Sequence, residues 1–317
     1  MLQIKNLKTY FFLSQGIAKA VDNVSLTLNP GETLALVGES GCGKSMLALS
    51  ILRLVPAPGK IIHGQIKFNG QDLLLLSEKQ MQKIRGNKIS MIFQEPMTAL
   101  NPVLRIGEQI CEPLIYHQGL SRNQAREKAL KLMQQVGIPD PEKRFFAFPH
   151  SLSGGMRQRI VIAMALSCSP KIILADEPTT ALDVTIQAQI LNLLQKMQKT
   201  NNMAIILITH DLGLVARTCQ RVNVMYAGKI VEQSPVREIF NSPLHPYTQG
   251  LLDSLPRIDK DKKLLPIPGT VPDLLNLPSG CAFHPRCKLK KPICQQKEPP
   301  LFSYSQTRKV KCWLYHL

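Results

Sequence analysis

The chain has 317 residues, 44% of them hydrophobic, and a formal net charge of +17. That length leads to the expectation of one large domain with an appendage. No apolar run approaches the roughly 20 residues of a spanning helix, and the stretch from Met1 to Asn6 enters strand-like sequence instead of a secretory leader, so a soluble chain that stays where it is made is expected. The positive residues are scattered, with modest clusters at 257–263 and 286–291 that read as solvated surface. No long basic block or aromatic-interleaved basic groove marks a nucleic-acid binder.

In chain order, Ile4–Phe12 and Val24–Leu28 read as strands of an antiparallel portion. Thr33–Val37, Ile89–Phe93, Ile172–Ala175 and Ala204–Thr209 are short apolar runs, each followed by polar or glycine-rich sequence. That is the pattern of buried strands in a mostly parallel sheet, whose ligands bind beyond the carboxyl ends. Between about Pro96 and Pro149 the pattern turns helical. Ser121 with Gln124 makes a capping box, Ala125, Ala129, Leu132, Met133 and Val136 form one apolar face, and Gly137 supplies a stop. Ile186, Ile190, Leu193, Leu194 and Met197 mark another amphipathic helix with its face in the core. Val222–Tyr226 and Lys229–Gln233 flank Ala227-Gly228 as a hairpin. From about Ser234 prolines become frequent and the alternation stops, so a boundary is expected there, separating 1–233 from 234–317.

The run Gly38-Glu39-Ser40-Gly41-Cys42-Gly43-Lys44-Ser45 follows a strand and opens a helix reaching about Leu54. It matches the P-loop pattern in its required context. The glycines let successive N–H groups point into one concavity, and the new helix adds its positive dipole end. Lys44 then meets the β- and γ-phosphates and the Ser45 hydroxyl ligates Mg²⁺; Met46, next along, is counted in the nucleotide site. The strand Ile172–Ala175 delivers Asp176, whose carboxylate suits the Mg²⁺ shell, and Glu177, which suits orienting or deprotonating the attacking water.

P-loops serve many functions, so the deciding segment is Leu152-Ser153-Gly154-Gly155-Met156-Arg157-Gln158-Arg159. It resembles the signature motif of the ATP-binding cassette family, with Met156 where the family commonly has Gln. The resemblance implies an α/β fold: a P-loop ATPase core with a mostly parallel sheet and an antiparallel portion. A helical signature subdomain at about 96–154 and a small irregular C-terminal metal-binding module complete it. It further implies that Ser153, Gly154 and Gly155 complete the ATP site of a second ATPase subunit, a copy or a relative, so that two subunits sandwich two ATP molecules. Gln94 resembles the glutamine that touches Mg²⁺, Ala181-Leu182-Asp183 the loop linking the two sites, and His210 the switch histidine at the γ-phosphate. Phe11, with Tyr10 as the alternative, resembles the aromatic that stacks on adenine.

Asn241-Ser242-Pro243-Leu244-His245-Pro246-Tyr247-Thr248 resembles the start of the C-terminal extension of dipeptide and oligopeptide importer ATPases. The likeness continues through Ser279-Gly280-Cys281-Ala282-Phe283-His284-Pro285-Arg286-Cys287 to Cys294 and Cys312. It implies a subunit on the cytoplasmic face of the membrane, working with two permease subunits and an external binding protein. Peptide is the favoured cargo, and nickel or another small solute the alternative. Of the eight cysteines, Cys42, Cys111, Cys168 and Cys219 are spread singly, as small buried apolar residues are. By donor chemistry Cys281, Cys287, Cys294 and Cys312 suit Zn²⁺ or an iron–sulfur cluster; the resemblance favours [4Fe–4S]. A rival class, a non-transport cassette ATPase in translation or DNA repair, would commonly bring a second cassette or a long coiled coil, and neither pattern is present. A redox-controlled binding module would not require Glu177.

Overall fold

The computed structural model describes residues 1–179, 183–254 and 266–316, which divide into two compact units. One comprises Met1–Leu28, Thr33–Leu75 and Ile208–Leu317, the other Asn29–Glu32 and Leu76–Leu207. The cluster at 257–263, Ala181 and Leu182 lie outside the described residues.

The first unit opens with β1 (Leu2–Leu13) and β2 (Gly16–Leu28), paired antiparallel with Leu2 opposite Leu28 and Phe11 opposite Ala18. Leu2 and Ile4 are buried, then Leu7 and Thr9. This period of two is that of a sheet with one covered face, and its change of phase coincides with a register shift at Asn6, which adopts the left-handed conformation (φ 48°). β3 (Thr33–Val37) is buried throughout and leads to α1 (Lys44–Ile51). β4 (Gly59–Phe68) lies antiparallel to β1, and the short β5 (Gln71–Asp72) completes a sheet of order β2-β1-β4-β5.

The chain then enters the second unit with α2 (Glu78–Ile84), whose Ser77–Gln80 capping box is formed in both directions. β6 (Ile89–Ile92) follows, then the helical stretch α3 (Pro96–Ala99), α4 (Ile106–Gln118), α5 (Arg122–Gln135), α6 (Pro141–Phe145) and α7 (Gly154–Leu166). The expected box at Ser121 is present: the Ser121 hydroxyl accepts from the Gln124 N–H (3.4 Å), and the Gln124 amide oxygen accepts from the Ser121 N–H (3.0 Å). Ala125, Ala129, Leu132 and Met133 are buried on the face their spacing predicts. β7 (Ile172–Asp176) runs parallel to β6, and α8 (Val184–Asn201) leads to β8 (Ala204–Thr209), giving the order β8-β7-β6.

Within β8 the chain returns to the first unit and forms α9 (Leu212–Thr218), β9 (Arg221–Tyr226), β10 (Lys229–Pro235), α10 (Val236–Asn241) and α11 (Pro246–Asp253). α12 (Ile293–Gln296), β11 (Phe302–Ser303) and β12 (Lys309–Val310) follow. β9 is parallel to β3 and antiparallel to β10, and β12 and β11 extend that edge to give β11-β12-β10-β9-β3. The segment after Ser234 is therefore less irregular than its prolines suggest. Its anchors are buried. Glu232 accepts from the N–H groups of Leu244 (2.9 Å) and His245 (2.8 Å), with Arg308 3.6 Å away, and Phe283 joins an apolar cluster with Val37, Val224, Tyr226 and Tyr247. No helix among the described residues is long and apolar enough to cross a membrane.

Candidate active site

In the first unit, the loop from Gly38 to Gly43 joins β3 to α1, and its shape requires glycine at both ends. A Cβ on Gly38 would stand 2.2 Å from the Met225 carbonyl oxygen. On Gly43, whose φ is 101°, it would stand 2.0 Å from the Ala20 carbonyl oxygen. Lys44 is buried, and its ammonium donates to the carbonyls of Gly38 (2.9 Å) and Glu39 (3.0 Å). The loop is thus curled around the amine of its own lysine, a positive centre at a helix start that suits an anion. Burial pushes the Cys42 thiol above its ordinary value, so that residue is a neutral packing group. Ser45 and Met46 are half-buried in the first turn of α1, while Ser40 and Gly41 are exposed.

Glu39 is held at three points. Its N–H donates to the Tyr247 hydroxyl (2.8 Å), its carbonyl accepts from Lys44, and its carboxylate receives both arms of the Arg286 guanidinium at 2.7 and 2.9 Å. Arg286 was expected in a solvated basic cluster; it is instead buried and paired. Nothing in the residue spacing marks Tyr247 or Arg286 as neighbours of the loop, although both stand in segments that carried the family resemblance.

Of the two candidate stacking aromatics, Tyr10 is committed. Its hydroxyl donates to Asp22 (2.6 Å), and burial together with that carboxylate drives its ionisation out of reach. Burial opposes the charge on Asp22, but the Tyr10 hydroxyl and Lys229, 3.1 Å away, outweigh it and hold the carboxyl below its ordinary value. Phe11 is half-buried and packs against Gly59, where a Cβ would fall 2.8 Å from its ring. His210 follows β8 directly and is exposed. The turn beyond it is set by Asp211, which donates its N–H to the Thr209 hydroxyl (3.0 Å) and caps α9 through the Leu214 N–H (3.1 Å).

In the second unit, β7 carries Asp176 to its end, where the residue is buried. Glu177 follows with φ 44°, a left-handed conformation unusual for a residue with a side chain and characteristic of constrained functional turns. β6 ends at Ile92, one residue earlier than its apolar run suggests; Phe93 is exposed, and Gln94 stands beyond the ladder. There the Gln94 amide donates to the Glu177 carboxylate at 3.3 Å. The signature segment forms a helix start as its glycines imply: Ser153 is the N-cap of α7 and accepts from the Met156 N–H (3.3 Å). Gly155 sits close against α8: a Cβ there would stand 3.1 Å from the Ile186 side chain, a tight contact. Asp183 caps α8 through the Ile186 N–H (2.9 Å).

The four late cysteines all lie in the first unit. Among the described residues no group of three or more His, Cys, Asp or Glu side chains is placed to hold a metal ion. The thiols are neighbours, since the charges of Cys281, Cys287 and Cys294 are felt at Cys312. Three of them pack as small apolar side chains in two places: Cys281 and Cys287 against the Tyr226–Tyr247–Phe283 cluster, Cys312 with Leu244 and Val310. Burial pushes the thiols of Cys281 and Cys312 up to about 11, which keeps them protonated at neutral pH. The main chain links two of the four, Cys281 N–H donating to the Cys294 carbonyl at 2.8 Å. As expected, Cys42, Cys111 and Cys168 are buried; Cys219 is half-buried.

Residues 21–180 match the ABC transporter family, and residues 231–294 match the C-terminal region of oligopeptide/dipeptide transporters. The oligopeptide transport ATP-binding protein AppD of Bacillus subtilis is 53% identical, covering 99% of this chain and 97% of that protein. The dipeptide transport ATP-binding protein DppD of Lactococcus lactis subsp. cremoris is also 53% identical, over 99% of this chain and 90% of its own length. Among solved structures, a dimeric bacterial ABC transporter cassette superposes with a TM-score of 0.67 at 30% identity, over 75% of this chain and 99% of that one. The same cassette in a dimeric post-hydrolysis state bound to ADP and Pi gives 0.66 at 29% identity, with the same coverage. The chain belongs to the ABC transporter family, among its ATP-binding proteins.

Proposed function

We propose that this chain is the ATP-hydrolysing subunit that energises peptide import through a membrane ABC transporter. The observation that carries the reading is the presence, in one chain, of two helix starts suited to phosphate: the loop closed on Lys44 and the Ser153 cap before Gly154-Gly155. A single γ-phosphate does not need both, so each chain offers one of them to a partner ATPase, a copy or a relative. Similarity to oligopeptide and dipeptide transport proteins along nearly the whole chain supports peptides as the cargo.

In this reading the P-loop N–H groups and Lys44 bind the β- and γ-phosphates, and Phe11 stacks on the adenine. Mg²⁺ fits the donor chemistry of the Ser45 hydroxyl, the Asp176 carboxylate and the Gln94 amide oxygen, all hard oxygen ligands. When bound, it offsets phosphate charge. Glu177 takes or steers the proton of the attacking water, and its 3.3 Å contact with Gln94 supports the two acting together. His210 contacts the γ-phosphate, and Asp183 lies in the loop by which the two sites communicate. ATP closes the paired ATPases, and loss of the bridging phosphate lets them open.

The reading includes two permease subunits, an external binding protein and a peripheral position on the cytoplasmic face of the membrane. Isolation of the native membrane complex tests it: two hydrophobic permeases should accompany the chain, and recovery without any membrane subunit refutes the assignment. For Cys281, Cys287, Cys294 and Cys312, the finer reading as [4Fe–4S] or Zn²⁺ ligands is supported by their mutual proximity, while burial, which raises the thiols of Cys281, Cys287 and Cys312, opposes their ionisation in the metal-free chain. Iron, sulfide and zinc assays after anaerobic purification decide it. Zinc without sulfide removes the cluster, and absence of all three removes both.

A further inference from the structure

The C-terminal segment reaches the phosphate loop at Glu39 through two residues, Tyr247 and Arg286. The Arg286 side chain is 5% exposed and its fork meets the Glu39 carboxylate with two parallel bonds, 2.7 and 2.9 Å, the strong bidentate geometry of this pair type. Its Nε donates to the Pro268 carbonyl (2.9 Å), Nη1 also reaches the Tyr226 hydroxyl (3.4 Å), and the cation lies 5.9 Å from the centre of the Tyr226 ring. The turn His284–Arg286 that presents it is fixed from both sides. His284 N–H donates to the Cys281 carbonyl (2.9 Å), Arg286 N–H to the Phe283 carbonyl (3.1 Å), and Phe283 is packed on Tyr226 and Tyr247 at 5.3 and 5.4 Å. Tyr247 in turn holds the Glu39 N–H.

Glu39 places a carboxylate within an anion-binding loop. Left alone, Glu39 would repel a triphosphate and compete for the ammonium of Lys44, whose bonds already run to the neighbouring carbonyls. Arg286 cancels that charge and turns it away, while Tyr247 fixes the backbone of the same residue. We propose that Arg286 is a positioning residue of the nucleotide site: by neutralising and anchoring Glu39 it keeps the phosphate loop in its binding shape, which makes the C-terminal segment part of the ATP site. This rests on the reading of the loop as a nucleotide cradle.

The test is equilibrium titration of the full chain with MgATP and with AMP, for wild type, R286M, R286K and the double variant R286M/E39Q. R286M should weaken MgATP binding by about tenfold, the effect of one stranded carboxylate near the phosphates, and AMP binding by much less. R286K, which keeps the charge without the fork, should fall between. Removing the stranded charge in R286M/E39Q should recover most of the loss, which a purely structural role for Arg286 would not allow. Wild-type affinity in R286M, or a double variant no better than R286M, overturns the proposal. Should R286M fail to fold, R286K against R286K/E39Q makes the same comparison. If wild type and Lys44→Met bind MgATP alike, the nucleotide reading itself fails, whatever Arg286 does.

Discussion

Glu177 occupies a backbone conformation that few side-chain-bearing residues adopt, and its carboxylate meets Gln94 at 3.3 Å. A strained turn of this kind fixes a carboxylate's direction at some cost in stability, which suits a group that must orient a water. Glu177→Gln should keep MgATP binding and lower hydrolysis by about 10²-fold or more, with ATP-bound ATPase dimers accumulating; turnover and gel filtration read the two effects, and unaltered turnover contradicts the role. Gly43→Ala should abolish MgATP binding, because its methyl group meets the Ala20 carbonyl 2.0 Å away; wild-type affinity in that variant would mean that the loop rearranges freely. Glu39 shows the limit of reading residues one by one. Its place in the loop is plain from the glycine spacing, but its partners Tyr247 and Arg286 are 208 and 247 positions away. No local pattern pairs them, and Arg286 sits among lysines that invite a solvated reading.

At the scale of elements, the pieces that local chemistry dictates were legible. The apolar runs Thr33–Val37 and Ala204–Thr209 are strands β3 and β8 over those same residues, since a buried parallel strand needs little beyond a short apolar run between polar segments. The Ser121 box, its apolar face and the stop at Gly137 (φ 77°) describe α5. Ser121→Ala should cost about 1 kcal/mol of stability in denaturant unfolding while leaving ATP turnover unchanged; no loss of stability would mean that tertiary packing alone holds the helix. What escaped was of two kinds. α2 carries the same capping signal, Ser77 with Gln80, in a stretch too short to show periodicity. β11 and β12 are two residues each and exist because β10 offers an open edge, which no local propensity announces. The cysteines stand apart: their spacing allows a ligand set, and Cys281, Cys287 and Cys312 pack beside Tyr226, Phe283, Leu244 and Val310.

For the molecule as a whole, the tail contributes a pH-sensitive element. His245 is fully buried, its Nδ1 accepts the Tyr247 N–H at 3.0 Å, and burial pushes its pKa down to about 3. An unfolded histidine titrates near pH 6.5. Between those values the unfolded chain binds a proton that the folded chain does not, so stability falls as pH drops below about 6.5, by up to about 1.4 kcal/mol per unit from this residue. His245→Asn, which keeps an acceptor for Tyr247, should flatten the urea-unfolding free energy between pH 7 and 5; an unchanged slope would show that other groups set it. Tyr247 also holds the phosphate loop at Glu39, so the tail's stability and the shape of the loop are joined there as well as through Arg286.

In the proposed function, ATP hydrolysis on this chain drives peptide import. Its most direct test is simultaneous measurement of peptide uptake and ATP turnover by the native complex in proteoliposomes, with wild-type chain and with Glu177→Gln. Uptake should require ATP, peptide should raise turnover, and the substitution should stop both. Peptide uptake persisting with the Glu177→Gln chain while ATP turnover is lost would contradict it.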